Sequence, residues 1–100
     1  MAQDINSPKY TIGVIGTGTM GRGIAQISVT GGFRVKMFDA QEGAADQAHE
    51  FITRMVSRAA EKGQMSEADA TAANGRLQIV SSLAEMADCG MVIEAIVENL

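Results

Sequence analysis

With 100 residues, 46% of them apolar and 20% charged, the chain has room for one modest hydrophobic core. Its net charge of −4 argues against a nucleic-acid backbone or an anionic membrane surface as partner, because no basic patch is present to hold phosphates. The apolar runs are far shorter than a bilayer span, residues 1–9 read as an acid-bearing leader without the apolar core of a secretory signal, and a lone cysteine allows no internal disulfide and suits a reducing cytosol.

Residues 10–15 form an apolar run that predicts a strand central to a parallel sheet. The turn Gly16-Thr17-Gly18-Thr19-Met20-Gly21 follows. A helix is expected over about 20–30, with Met20, Ile24 and Ile27 as its buried stripe and Gly31-Gly32 as its end. Residues 33–39 read as the second strand. A long helix is then expected over about 42–62, with Ala44, Ala48, Phe51, Met55 and Ala59 as an apolar stripe widened by Ile52 and Val56. Glu50 and Arg54, four residues apart on its flank, predict a surface pair worth roughly 0.3–0.5 kcal/mol.

Gly63 breaks that helix, and Ser66-Glu67-Ala68-Asp69 has the form of an N-cap for a short helix closed by Asn74-Gly75. Residues 77–80 read as a third strand, 82–87 as one or two helical turns and 91–95 as a fourth strand. Cys89, leading into that strand, is expected to be a buried structural thiol rather than a nucleophile, and His49 lies on the flank of the long helix, away from the ends of the strands. No metal site and no paired nucleophile and base are visible in the pattern.

Strands alternating with helices predict an α/β fold, a Rossmann-type doubly wound parallel sheet of about four strands, incomplete, with a long helical hairpin between strands two and three. In that winding strands one and four are neighbours, and ligands bind above their carboxyl ends. Those ends carry Gly16–Gly21 on one side and the segment from Glu94 to Asn99 on the other. Gly16 permits the tight turn, Gly18 lets backbone N–H groups approach a pyrophosphate, and Gly21 lets helix and strand pack closely. Thr19 and Met20 supply amides at the positive end of the helix. Gly23, further in, suits either a second close-packing position or a tolerated small residue. Asp39, eighteen residues after Gly21 at the end of the second strand, is placed to accept the ribose hydroxyls. Its charge repels a 2′-phosphate, and Ala40-Gln41 offers no arginine to receive one, so the pattern predicts NAD rather than NADP.

The run Gly16-Thr17-Gly18-Thr19-Met20-Gly21-Arg22-Gly23-Ile24-Ala25-Gln26 resembles the opening motif of 3-hydroxyacyl-CoA dehydrogenases. The later run Val92-Ile93-Glu94-Ala95-Ile96-Val97-Glu98-Asn99-Leu100 is similar to that family's fourth-strand motif, so the resemblance spans about residues 10–100. It implies oxidation of the 3-hydroxyl of an acyl-CoA with hydride passed to NAD, within fatty-acid β-oxidation in the cytoplasm, by a homo-oligomer. By the same resemblance Ala95 and Glu98 line the nicotinamide side of the crevice, and Lys62 stands near the CoA phosphates. The family's catalytic histidine, the glutamate that orients it and its helical domain would lie beyond residue 100, so the chain is expected to hold the cofactor without turning over substrate. Two other expectations stand beside this one. One is a β-hydroxyacid dehydrogenase of the 6-phosphogluconate type, which shares the glycine pattern, and the other is a non-catalytic NAD-binding protein such as a crystallin or a sensor.

Overall fold

The structure, a computed structural model, describes residues 10–95. Its elements in chain order are β1 (Thr11–Ile15), α1 (Thr19–Thr30), β2 (Arg34–Phe38), α2 (Ala44–Glu61), α3 (Glu67–Gly75), β3 (Leu77–Ile79), a single 3₁₀ turn (Leu83–Met86) and β4 (Met91–Glu94). The four strands form one parallel sheet in the order β3-β2-β1-β4, so β1 is central and the winding reverses between β1 and β4. This is the expected Rossmann-type sheet. Two helices that pack on one another, α2 and α3, fill the connection from β2 to β3.

Alternate residues of the strands divide between two faces. Ile12, Val14, Val35, Met37 and Leu77 face the helices and join Ala25, Val29, Ile52 and Val56 in the core. The opposite face carries Gly13 on β1 with its neighbours Lys36 on β2 and Val92 on β4. There the 3₁₀ turn is fastened down. The Lys36 ammonium pairs with Asp88 at 2.6 Å and donates to the Glu85 carbonyl at 2.9 Å. Gly13 leaves room for that turn, because a Cβ at this position would lie 2.6 Å from Met86 Sδ and 3.2 Å from Cys89 Sγ.

Two expectations about the helices are corrected. Met20 and Ile27 are 61% and 74% exposed, so Met20, Ile24 and Ile27 do not form the buried stripe of α1. The buried residues are Gly21, Ala25, Ser28 and Val29. The period was right and the phase off by one residue, about 100° around the helix. Small residues face the sheet because they let the helix axis come close, and the buried Ser28 hydroxyl is satisfied by donating to the Ile24 carbonyl at 2.8 Å. The stripe of α2 is corrected only in part: the expected Ala48, Ile52 and Val56 are buried together with Ala45, whereas Ala44, Phe51, Met55 and Ala59 are only partly so. Gly23 is not a close-packing position, since nothing lies within 4 Å of where its Cβ would be.

Local signals fare better. The Ser66 hydroxyl accepts from the Asp69 amide at 3.0 Å and caps α3. Arg54 and Glu50 stand 3.9 Å apart on the exposed flank of α2, a pair of little energetic weight. The Arg76 guanidinium, at the end of α3, donates twice to the Val29 carbonyl near the end of α1, at 2.6 and 3.2 Å. It thereby joins the Gly32 amide on a carbonyl of the last helical turn and complements the negative end of its dipole.

Candidate functional site

The crevice starts at the carboxyl end of β1. Gly16 adopts φ 93°, a left-handed conformation that side chains disfavour, and so turns the chain sharply out of the strand. Its amide donates to the Phe38 carbonyl at 2.8 Å, which ties the turn to the end of β2. Gly18 is the N-cap of α1 and has open space around it, with no atom within 4 Å of a Cβ position. At Gly21 a Cβ would collide with the backbone carbonyl of Gly16, so the helix can lie this close to the turn only with glycine there. The open face at Gly18 beside unpaired helix-start amides is what a pyrophosphate requires.

Asp39 follows β2 and closes on the same turn. Its Oδ2 accepts from the Thr17 amide at 2.8 Å and the Thr17 hydroxyl at 2.9 Å, and its Oδ1 accepts from the Gln41 amide at 2.9 Å. Partial burial would raise its pKa, but the bonds from Gln41 and Thr17 outweigh that and hold the carboxyl below its ordinary value. Asp39 is therefore an anion at neutral pH, and it has an acceptor position left on Oδ1 for a ribose hydroxyl.

A cavity of 610 Å³ opens here, lined by Ile15, Gly16, Thr17, Gly18, Phe38, Asp39, Ala40, Gln41, Leu83, Glu94 and Ala95. Its far wall is held in register by the Ala95 amide, which donates to the Ile15 carbonyl at 2.8 Å. Leu83 enters the lining because Glu85 organises the turn before it. The Glu85 carboxylate accepts from the Ser81 amide at 2.8 Å and the Ser82 amide at 3.1 Å, and these bonds, the Ser81 amide foremost, lower its pKa. A second cavity of 310 Å³ adjoins the first through Thr17, Gly18, Asp39 and Gln41, and continues along Thr19, Arg22, Glu42, Ala44, Gln47 and Ala48.

The structure thus brings Gly16, Thr17, Gly18, Asp39 and Ala95 to one cavity and adds Thr19 at its neighbour. The Thr17 side chain is 6% exposed and spends its hydroxyl on Asp39. Met20 starts the helix with its side chain in solvent. Lys62 is the exposed C-cap residue of α2 and lines neither of these cavities. Glu98 lies outside the described residues. Phe38, Gln41, Leu83 and Arg22 were missed from sequence. The alternation of β2 could have placed Phe38 on the crevice face, but no signal in the sequence joins Arg22 of α1 to the wall beside Asp39.

Cys89 is half-buried with its Sγ 3.9 Å from Met86 Sδ, and burial pushes its thiol pKa up, with Lys36 opposing and Asp88 assisting. It is a half-buried thiol packed against Met86. Among the described residues no group of three His, Cys, Asp or Glu side chains could hold a metal ion, and no helix is long and apolar enough to cross a membrane.

A parallel sheet with this reversal of winding, a glycine turn closing on the N-terminus of α1 and an acid after β2 define a dinucleotide-binding domain. The description "3-hydroxyacyl-CoA dehydrogenase, NAD binding domain" matches residues 11–100. A probable 3-hydroxybutyryl-CoA dehydrogenase of Deinococcus radiodurans is 40% identical over 87 residues, which cover 87% of this chain and 31% of that protein. A 3-hydroxybutyryl-CoA dehydrogenase of Mycobacterium tuberculosis is 34% identical over 88% of this chain and 31% of its own length. The crystal structure of (S)-3-hydroxybutyryl-CoA dehydrogenase from Ralstonia eutropha superposes with a TM-score of 0.83 at 33% identity, covering 92% of this chain and 32% of that one. The chain belongs to the 3-hydroxyacyl-CoA dehydrogenase family, as its NAD-binding domain. It spans about a third of the length of these relatives.

Proposed function

We propose that this chain holds NAD for the oxidation of a (S)-3-hydroxyacyl-CoA to the 3-oxoacyl-CoA. The observation that carries the proposal is the Asp39 carboxylate, fixed by Thr17 and Gln41 beside the open face of Gly18. Gly16, Gly18 and the amides of Thr19 and Met20 seat the pyrophosphate, Asp39 takes the adenosine ribose, and Ala95 with Glu98 borders the nicotinamide. Bound NAD supplies the hydride acceptor. The chain's own contribution is to orient it, with Leu83 and Phe38 as apolar walls that keep water off the dinucleotide.

In this reading the catalytic and acyl-binding groups come from sequence outside the chain, and Lys62 reaches the CoA phosphates from the end of α2. A cytoplasmic setting is supported by the free thiol of Cys89. The proposal is tested by a chimera in which this chain replaces the matching third of the Deinococcus radiodurans relative. Addition of (S)-3-hydroxybutyryl-CoA should reduce NAD, followed by nicotinamide absorbance. A folded chimera that transfers no hydride would count against it.

A further inference from the structure

At the end of the sheet where the strands begin, opposite the crevice, another cavity of 610 Å³ is lined by three cations, Arg34, Lys36 and Arg76, and one carboxylate, Asp88. Arg34 opens β2 and Arg76 immediately precedes β3. The Val35 amide donates to the Arg76 carbonyl at 2.9 Å, so the two arginines stand on adjacent stretches of backbone at the same end of the sheet. Lys36 lies two residues beyond Arg34 on the same face of β2, roughly 6–7 Å along the strand, with Gln78 of β3 beside it in register.

Three of the chain's eight lysines and arginines thus meet in one cavity, although the chain as a whole carries a net charge of −4. Lys36 uses two of its three donors on Asp88 and the Glu85 carbonyl. Arg76 gives one side of its fork to the Val29 carbonyl and keeps its second terminal nitrogen. The Arg34 guanidinium is exposed and makes no hydrogen bond or ion pair among the described residues. Two features oppose an anion. Asp88 is 70% exposed and already paired with Lys36 at 2.6 Å, and the negative end of α3, at Gly75, lies beside Arg76, which offsets it.

The lining therefore carries an excess of two positive charges, which a dianion balances. Guanidinium forks match the oxygens of a phosphate in geometry as well as charge. The volume lies within the roughly 300–1,000 Å³ of small-molecule sites, so a phosphate can carry a body with it. No aromatic ring lines the cavity to stack a base, and Gln78 offers hydrogen bonds to a polar body.

We propose that this cavity is a phosphate site, in which Arg34 and Arg76, with Lys36 between β1 and β3, hold a phosphate dianion, free or as the monoester of a small sugar. Ligand and NAD occupy opposite ends of the sheet and do not compete. The inference does not depend on the NAD reading.

Calorimetric titration of the chain with ribose 5-phosphate, inorganic phosphate and ribose at low ionic strength tests it. Both phosphates should bind in the millimolar range or tighter, and ribose should not. Tighter binding of ribose 5-phosphate assigns the site to a monoester, and tighter binding of inorganic phosphate assigns it to the free anion. Arg34→Gln should weaken binding roughly tenfold, and Gln78→Glu, which adds a carboxylate beside Lys36, should weaken it as well. Arg54→Gln, on the exposed flank of α2 and outside the cavity, should leave it unchanged. Positions 34 and 78 are exposed, so both variants should melt with the unaltered chain by circular dichroism. Absence of binding by either phosphate, undiminished binding in Arg34→Gln, an equal loss in Arg54→Gln, or displacement of ribose 5-phosphate by NADH each overturns the proposal.

Discussion

With Thr17 donating through both its amide and its hydroxyl to Asp39 Oδ2, and Gln41 donating to Oδ1, three of the carboxylate's roughly four acceptor positions are filled before any ligand arrives. Asp39 therefore shapes the glycine turn itself, and a ribose diol that took both of its oxygens would displace the Thr17 hydroxyl. The same bonds have a consequence for stability. Asp39, Glu85 and Asp88 all have pKa values lowered in the folded chain: hydrogen bonds outweigh burial at Asp39, the Ser81 amide leads at Glu85, and the Lys36 hydrogen bond leads at Asp88. A depressed acid stabilises the fold above its unfolded pKa, and that contribution is lost as pH falls through the folded one. Urea midpoints should therefore hold level from neutral pH down to about pH 5 and drop below about pH 4, with a smaller drop in Asp39→Asn. A midpoint that rises below pH 4 would contradict the assignment.

Among the elements, α1 shows where sequence and structure part. Its ends were legible, because glycines flank it and each has a local reason to be there. Its buried face was not. A period of 3.6 is carried equally by Met20, Ile24 and Ile27 and by Gly21, Ala25 and Ser28, and size alone favours the first set. The sheet reverses that preference, because a helix starting from the Gly16 turn lies too close to β1 for an isoleucine to fit between. The two phases make opposite predictions. Ile27→Gln should change stability by no more than about 0.5 kcal/mol, whereas Val29→Ala should cost about 1–3 kcal/mol in thermal or urea unfolding. A large loss from Ile27→Gln would restore the phase read from sequence. The strands were legible almost residue by residue, since each is a short apolar run bounded by turn residues and needs no partner to be recognised. Arg22 was not, because its place beside Asp39 depends on how α1 lies against α2.

For the whole molecule, the order β3-β2-β1-β4 makes the two halves of the crevice meet. The Gly16 turn and the Glu94-Ala95 end arrive on adjacent strands from distant parts of the sequence, and the register Ile15↔Glu94 sets them side by side. Topology could be anticipated because crossover handedness and winding rules leave few alternatives. The function proposed for this crevice is to hold NAD, with Asp39 setting the preference over NADP. Titration of the chain with NADH and with NADPH, followed by nicotinamide fluorescence, tests it most directly. NADH should bind about tenfold or more tightly than NADPH, with the gap narrowing in Asp39→Asn. Equal affinities in the unaltered chain, or a gap that Asp39→Asn leaves unchanged, would contradict it.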